Sequence, residues 1–370
     1  MDNASLVSRD AEDVGRRPVR VAEQRTTVAA HAQATIVTPA IPAVETAGMQ
    51  VIRNTYQGQQ LSGNVIDILM ASWRTGTKKQ YATAIKKWSV FCNKKQIGIH
   101  KPTISNVLNF LEELFRDEKS YSNINTARSA LSTFISIDNH AVGSHPLVSR
   151  FMKGVFTLRP PAPRYEETWD VSIMLDYLRT LAPVRRISLK DLTMKLVMLL
   201  LLITAQRKQT LLLLDVHKLV MTRGSCSFQL TGLVKTSRPG DRKGTIVVKG
   251  YAPDRRLCVM FALREYLNRT KPLRKNHSQL FISYQKPCQA ITGQTLSRWI
   301  SLTMAKAGLN TDVYKPHSTR SAAVSRADER GVPIDLILKK AGWKSSTTFG
   351  KYYKKKVEKD TFQNAILQNN

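Results

Sequence analysis

Along residues 61–156 apolar positions recur at helical spacing. Tyr81, Ile85, Trp88 and Phe91 form one stripe, and Val107, Leu108, Leu111, Leu114 and Phe115 a second. Ile124, Ala127, Leu131 and Phe134 form a third, so this stretch predicts a small helical bundle. Thr77-Lys78-Lys79-Gln80 resembles a capping box ahead of the first stripe, and the second helix is predicted to open at Thr103. The pattern restarts after the stiff basic stretch Arg159-Pro160-Pro161-Ala162-Pro163-Arg164, the clearest domain boundary in the chain. Beyond it, helices are predicted over 171–181 and 188–205, and strands over 226–234 and 245–248. The strands are joined across Arg238-Pro239-Gly240-Asp241, a turn sequence. Helices resume over 257–268 and, with breaks, from 295 onward. The fold class is mainly α with a small β-sheet or hairpin (α+β).

Residues 1–55 contain no Phe, Trp or Tyr and are rich in Ala, Val, Thr and Arg. Such a segment buries too little apolar surface to offset its ordering entropy, so a disordered basic tail is expected there. The rest divides into a helical domain over 56–158, a linker over 159–168, a mixed domain over 169–357 and a C-terminal helix or tail over 358–370. The apolar run 196–203 is far too short to span a bilayer and reads as a buried helix. No apolar core follows the N-terminus as in a secretory signal, so neither secretion nor a membrane is expected.

Charge narrows the partner. The 370 residues carry 57 Lys plus Arg against 27 Asp plus Glu, a formal charge of +30. An imbalance this large across a folded chain calls for a polyanion, with nucleic acid ahead of a membrane surface. Lys78, Lys79, Lys86 and Lys87 lie mostly off the first stripe, as either a solvated flank or a DNA-facing one. Cys92, Cys226, Cys258 and Cys288 form no C-x-x-C pair, which excludes a zinc ribbon and points to a reducing compartment. The histidines form no metal-binding pair, so no metal site is visible, although scattered carboxylates could still hold magnesium; there is no phosphate loop, so ATP-driven work is unsupported and no cofactor is expected.

Four segments carry candidate chemistry. In Pro316-His317-Ser318-Thr319-Arg320, a helix starting at the histidine puts His317 and Arg320 on one face, where an imidazole and a guanidinium suit a phosphate. Arg207 follows the apolar helix and precedes Leu211-Leu212-Leu213-Leu214, so it must bind an anion or pair internally, for instance with Asp215. Lys235, at the expected end of the first strand, is either solvated or able to swing onto a substrate and donate a proton. The fourth segment runs from Ala341-Gly342-Trp343 to Phe349-Gly350-Lys351-Tyr352-Tyr353, with Gly342 as a helix C-cap. The two tyrosines would then sit on a short helix, about 100° apart, so only one easily faces a shared site.

The order Arg207, Lys235, His317-x-x-Arg320, Gly342-Trp343 and then a tyrosine nine or ten residues later resembles the catalytic set of the tyrosine recombinases, the phage integrase family. The likeness runs over about 61–357, with the motifs in 169–357. Trp169-Asp170-Val171, Ala205-Gln206-Arg207 and Ser237-Arg238-Pro239-Gly240 look most like the eukaryotic transposon-borne DIRS, Ngaro and Crypton type. That branch tends to show Phe-x-x-Phe-Tyr, which favours Tyr353 over Tyr352 as the nucleophile. Many bacterial relatives carry Glu or Asp three residues after the first arginine; here that position is Thr210.

The resemblance implies a site-specific recombinase or integrase that cuts and rejoins double-stranded DNA through a 3′-phosphotyrosyl link, without metal or ATP. It implies that Arg207 and Arg320 clamp the non-bridging oxygens and that Lys235 protonates the leaving 5′-oxygen. His317 donates to the phosphate or deprotonates the tyrosine, and Trp343 donates its indole N–H or packs on the tyrosine helix. Lys78, Lys79, Lys86, Lys87, Arg159, Arg164 and Arg238 are expected to touch DNA. The implied architecture is a helical core-binding domain and a catalytic domain forming a C-shaped clamp, as a homotetramer on paired sites in the nucleus. A DNA-binding descendant that no longer cuts, and a type IB topoisomerase-like nicking-closing enzyme, are the alternatives.

Overall fold

The computed structural model describes residues 47–350, apart from 163, 164, 166, 236, 238, 240–243, 344–346 and 348. Arg164, Arg238, both candidate tyrosines, the tail up to residue 46 and the C-terminal segment 358–370 lie outside the described residues. The chain divides into two compact units between Pro161 and Ala162.

The first unit contains α1 (Ala47–Gly58), α2 (Gly63–Ala71), α3 (Thr75–Lys95), α4 (Ile104–Arg116) and α5 (Tyr121–Leu131). A two-residue hairpin of β1 (Ser136–Ile137) and β2 (His140–Ala141) and a helix α6 (Pro146–Leu158) complete it. The stripes read from the sequence meet in one core, in which Ile85, Trp88, Leu111, Ile124 and Leu131 are fully buried. Trp88 satisfies its indole by donating to Ile99 O at 3.1 Å. Thr103 caps α4 as the sequence predicts, with a reciprocal Thr103–Asn106 capping box.

Two local expectations differ from the structure. The segment assigned to a tail is helical from Ala47, because Met49 and Ile52 bury against the bundle, with Tyr56 of the same helix packed beside them. Gly48 makes this possible, since a Cβ there would meet Ala82 O at 2.5 Å. Helix α3 begins at Thr75 behind Arg74, with no side-chain cap, so Thr77 lies inside the helix and caps nothing.

The second unit is built around α8 (Leu189–Thr204), which follows α7 (Val171–Thr180) and precedes the single turn α9 (Lys208–Leu211). Every residue of α8 from Leu192 to Leu201 is buried, since a sheet strand and three later helices of the unit pack against it. Ser188 caps its start by accepting from Asp191 N. An antiparallel sheet β3 (Leu219–Met221), β4 (Ser225–Gln229), β5 (Thr245–Lys249) covers one flank. Helices α10 (Val259–Thr270), α11 (Gly293–Lys306), α12 (Ser318–Glu329) and α13 (Ile334–Ala341) close the unit. The fold is mainly α with small antiparallel sheets.

The sheet departs from the sequence pattern in two ways. Strand β3 is additional, and the strand predicted over 226–234 stops at Gln229. Leu230 still pairs with Gly244 O, after which the chain leaves the sheet and Leu233 stands 83% exposed. Lys235 therefore sits in a turn beyond the strand, where Ser237 N donates to Val234 O.

Candidate active site

The site forms where three chain segments end or begin. Helix α8 stops at Ala205, whose left-handed backbone (φ 49°) redirects the chain into Arg207, the residue that opens α9. Helix α12 starts just after His317. Helix α13 stops at Gly342, in the left-handed region at φ 68°, where a side chain would be strained, and Trp343 N returns to Leu338 O.

Arg320 joins these ends. Its side chain is 1% exposed; one terminal nitrogen donates to Ala205 O and the other to Ala341 O, both at 2.7 Å. Each carbonyl is a helix end lacking an intrahelical donor, so a single guanidinium completes two helix C-termini. Trp343 lies under the same guanidinium at 4.2 Å and packs on Phe349 with ring centroids 6.0 Å apart. Gln206 repeats the tie by donating to Lys340 O at 2.6 Å. Val324, Ile337 and Ala341 fill the apolar space between these segments.

His317, one turn before Arg320, is exposed as a residue, yet its ring is partly shielded by its surroundings. That desolvation, followed by the charges of Arg320, Arg207, Lys235 and Lys208, holds its pKa below the ordinary imidazole value. The imidazole is therefore mostly neutral at pH 7, able to accept a proton on one nitrogen and donate from the other. The same electrostatic neighbourhood places Arg207, Lys235, His317 and Arg320 in one cluster, though they are far apart in sequence.

Arg207 is half-buried, and among the described residues its guanidinium has no acceptor. The internal pairing with Asp215 is not made, because Asp215 accepts from His217 N and Ser278 Oγ instead. Thr210 is buried, with its N–H on Arg207 O at 2.8 Å, so this position braces the Arg207 turn through backbone only. His317 and Arg320 do not point at one open surface as the shared helix face suggested: the imidazole faces outward and the guanidinium inward.

Sequence reasoning gave no role at the site to several contributors. Lys208 adds charge to the cluster and is held by a hydrogen bond to Ser297 Oγ. Buried Trp169 donates to Ser318 Oγ at 2.9 Å, across 149 residues, while Asp170 both caps α7 and pairs with Arg326 of α12 at 3.0 Å. The first contact pins the start of α12, and so His317, to the start of α7, and the second ties the last turn of α12 to the same place. Among the described residues no group of His, Cys, Asp and Glu could hold a metal ion, and no helix is long and apolar enough to cross a membrane.

A family model described as the phage integrase family matches residues 172–359, half of the chain, including every candidate catalytic residue. The chain belongs to the phage integrase family. Family members are tyrosine recombinases. The solved structures place the fold in the same group. The XerH site-specific recombinase in a post-cleavage complex with palindromic difH substrate is 14% identical, covering 82% of this chain and 85% of that one at a TM-score of 0.55. The Tn1549 transposon integrase with transposon right-end DNA is also 14% identical, covering 85% and 97% at 0.55. DNA-bound lambda integrase is 15% identical, covering 85% and 99% at 0.51. No curated protein matches the chain.

In the first unit, Lys79, Lys86 and Lys87 are exposed on α3 and Lys78 is half-buried. Lys79 and Lys87 line a groove of about 400 Å³ together with Lys119 and Asn123. Arg159 is held inward, donating to Phe115 O and Lys119 O at 3.1 and 3.3 Å with its guanidinium 4.1 Å from the Phe115 ring, so it closes α4.

Proposed function

We propose that this chain is a transposon-type, site-specific recombinase that cuts and rejoins duplex DNA through a 3′-phosphotyrosyl intermediate, without metal or ATP, in the nucleus. The observation that carries the reading is Arg207, a half-buried guanidinium with no acceptor among the described residues, beside a neutral His317 and the exposed Lys235. A half-buried guanidinium that spends none of its donors on the protein keeps its fork open for an anion, and a phosphodiester supplies that anion.

In this reading the tyrosine oxygen, of Tyr353 or alternatively Tyr352, attacks phosphorus and the bond to the 5′-oxygen breaks. Lys235 gives that oxygen its proton, and His317 takes the tyrosine's proton or donates to the phosphate. Arg207 binds the non-bridging oxygens as charge builds on the phosphorane, and Arg320 adds its positive charge from behind. Trp343, packed between Arg320 and Phe349, positions the segment leading to the tyrosines. Religation runs the same steps backward, so bond energy is kept throughout. Lys78, Lys79, Lys86, Lys87, Arg164 and Arg238 hold the backbone, both units bind the duplex, and four copies act on paired sites.

A nicked suicide duplex tests the reading. The active chain becomes trapped as a covalent adduct, and the phosphotyrosyl peptide assigns Tyr352 or Tyr353. If neither tyrosine forms an adduct while DNA is still bound, the chain is a silent DNA-binding protein and the enzymatic reading fails.

A further inference from the structure

Away from the catalytic cluster, the second unit carries a cleft of about 680 Å³ lined by Arg185, Arg255, Arg256 and Arg264, with Glu265 as its single carboxylate. None of the catalytic candidates lines it. Arg185 lies just before the Ser188 cap of α8, whereas Ala205, the carbonyl that holds Arg320, is at the other end of that helix. Sixteen residues at helical rise put those two ends about 24 Å apart.

Three of the four arginines are held in place before any ligand arrives. Arg256 makes a two-point contact with Asp254, at 3.0 and 3.2 Å, which neutralises much of its charge. Arg264 is fixed without neutralisation, one nitrogen donating to both Thr222 O and Arg223 O. The Arg255 guanidinium lies over the Phe261 ring, 4.1 Å from its centroid. Among the described residues Arg185 has no partner. Preset guanidinium forks lose little entropy on binding, and several around one cleft call for several anionic oxygens close together. The floor is apolar, with Ala182, Pro183, Val184 and Phe261. Its volume is that of a small-molecule site.

We propose that this cleft binds a nucleoside phosphate, with the phosphates on Arg185, Arg255 and Arg264 and the flat base against Pro183 and Val184. The same chemistry comes from a free nucleotide or from an unpaired nucleic-acid strand.

Calorimetry on the full chain tests this with three probes: ATP without magnesium, inorganic triphosphate and a ten-nucleotide oligothymidylate. The variants are Arg185→Ala/Arg255→Ala together and, as a control for binding at the catalytic cluster, Arg207→Ala. ATP affinity at least about tenfold weaker in the double variant but unchanged in Arg207→Ala identifies the free nucleotide. The same pattern for the oligonucleotide alone identifies a strand. In the first case inorganic triphosphate binds at least about tenfold more weakly than ATP, because it leaves the apolar floor uncovered. Arg185→Glu, at an exposed position, repeats the measurement if the double variant misfolds. Probe affinities indifferent to these substitutions, or triphosphate binding as tightly as ATP, overturn the proposal, whatever the suicide-duplex result.

Discussion

His317 sits among the charges of Arg207, Lys208, Lys235 and Arg320, and its proton affinity records all of them. Its resonance in an NMR titration is expected to move at a pH below 6.5, and Lys208→Met is expected to raise that midpoint by removing one like charge. If adduct formation depends on neutral His317, the rate falls as pH drops through the same midpoint, and its acid limb moves up with it in Lys208→Met. Arg207→Ala is expected to lower the cleavage rate by about a hundredfold or more. Thermal or urea unfolding should place its stability within about 0.5 kcal/mol of the parent, since no protein acceptor loses a bond. Arg207, His317 and Arg320 were legible because their residue types and spacing point to phosphate chemistry. The burial of Arg320 was not, because three-residue spacing fixes a shared helix face without fixing what that face packs on. Lys208 and Ser318 were illegible for a related reason: their partners Ser297 and Trp169 are remote in sequence.

Among the elements, α8 shows how a charged side chain enters a buried stretch of helix. Lys195 is 0% exposed and donates to Leu178 O and Leu181 O, at 2.8 and 2.6 Å, so one ammonium closes the C-terminus of α7. Burial lowers its pKa from 10.5 to about 8. The folded state therefore releases this proton earlier than the unfolded chain, and stability is expected to rise with pH between about 8 and 10.5. Urea unfolding of Lys195→Met should show no such rise and a loss of about 3 kcal/mol near pH 7, since two buried carbonyls lose their donor. Gly342→Ala forces a side chain into the left-handed region and is expected to cost about 1 kcal/mol in the same measurement. The sequence pattern placed the long helices well, because their apolar period is strong. It lost α1, whose buried face rests on Met49 and Ile52, and β3, three residues long and half-exposed. Both elements are held by tertiary contacts more than by their own pattern.

At the scale of the molecule, each unit has its own apolar core, gathered around Trp88 in the first and around α8 in the second. The sequence marked the divide through its proline-rich stretch, because prolines stiffen a chain and withdraw backbone donors whatever surrounds them. The formal charge of +30 is spread along a chain with few carboxylates to neutralise it. DNA affinity measured by fluorescence anisotropy is expected to fall roughly a thousandfold or more between about 50 and 200 mM salt. An affinity flat across that range would show that the basic residues do not meet phosphates.

Arg320 has a further consequence for how such chains age. On the proposed function, a descendant that stopped cutting DNA would still need this guanidinium, because the two helix ends it ties together and the indole it covers belong to the fold. Drift would erase Arg207 and Lys235 first, since no architecture depends on them. On that reading, a working member is expected to keep those two side chains and a relic to lose them, while both keep the buried arginine.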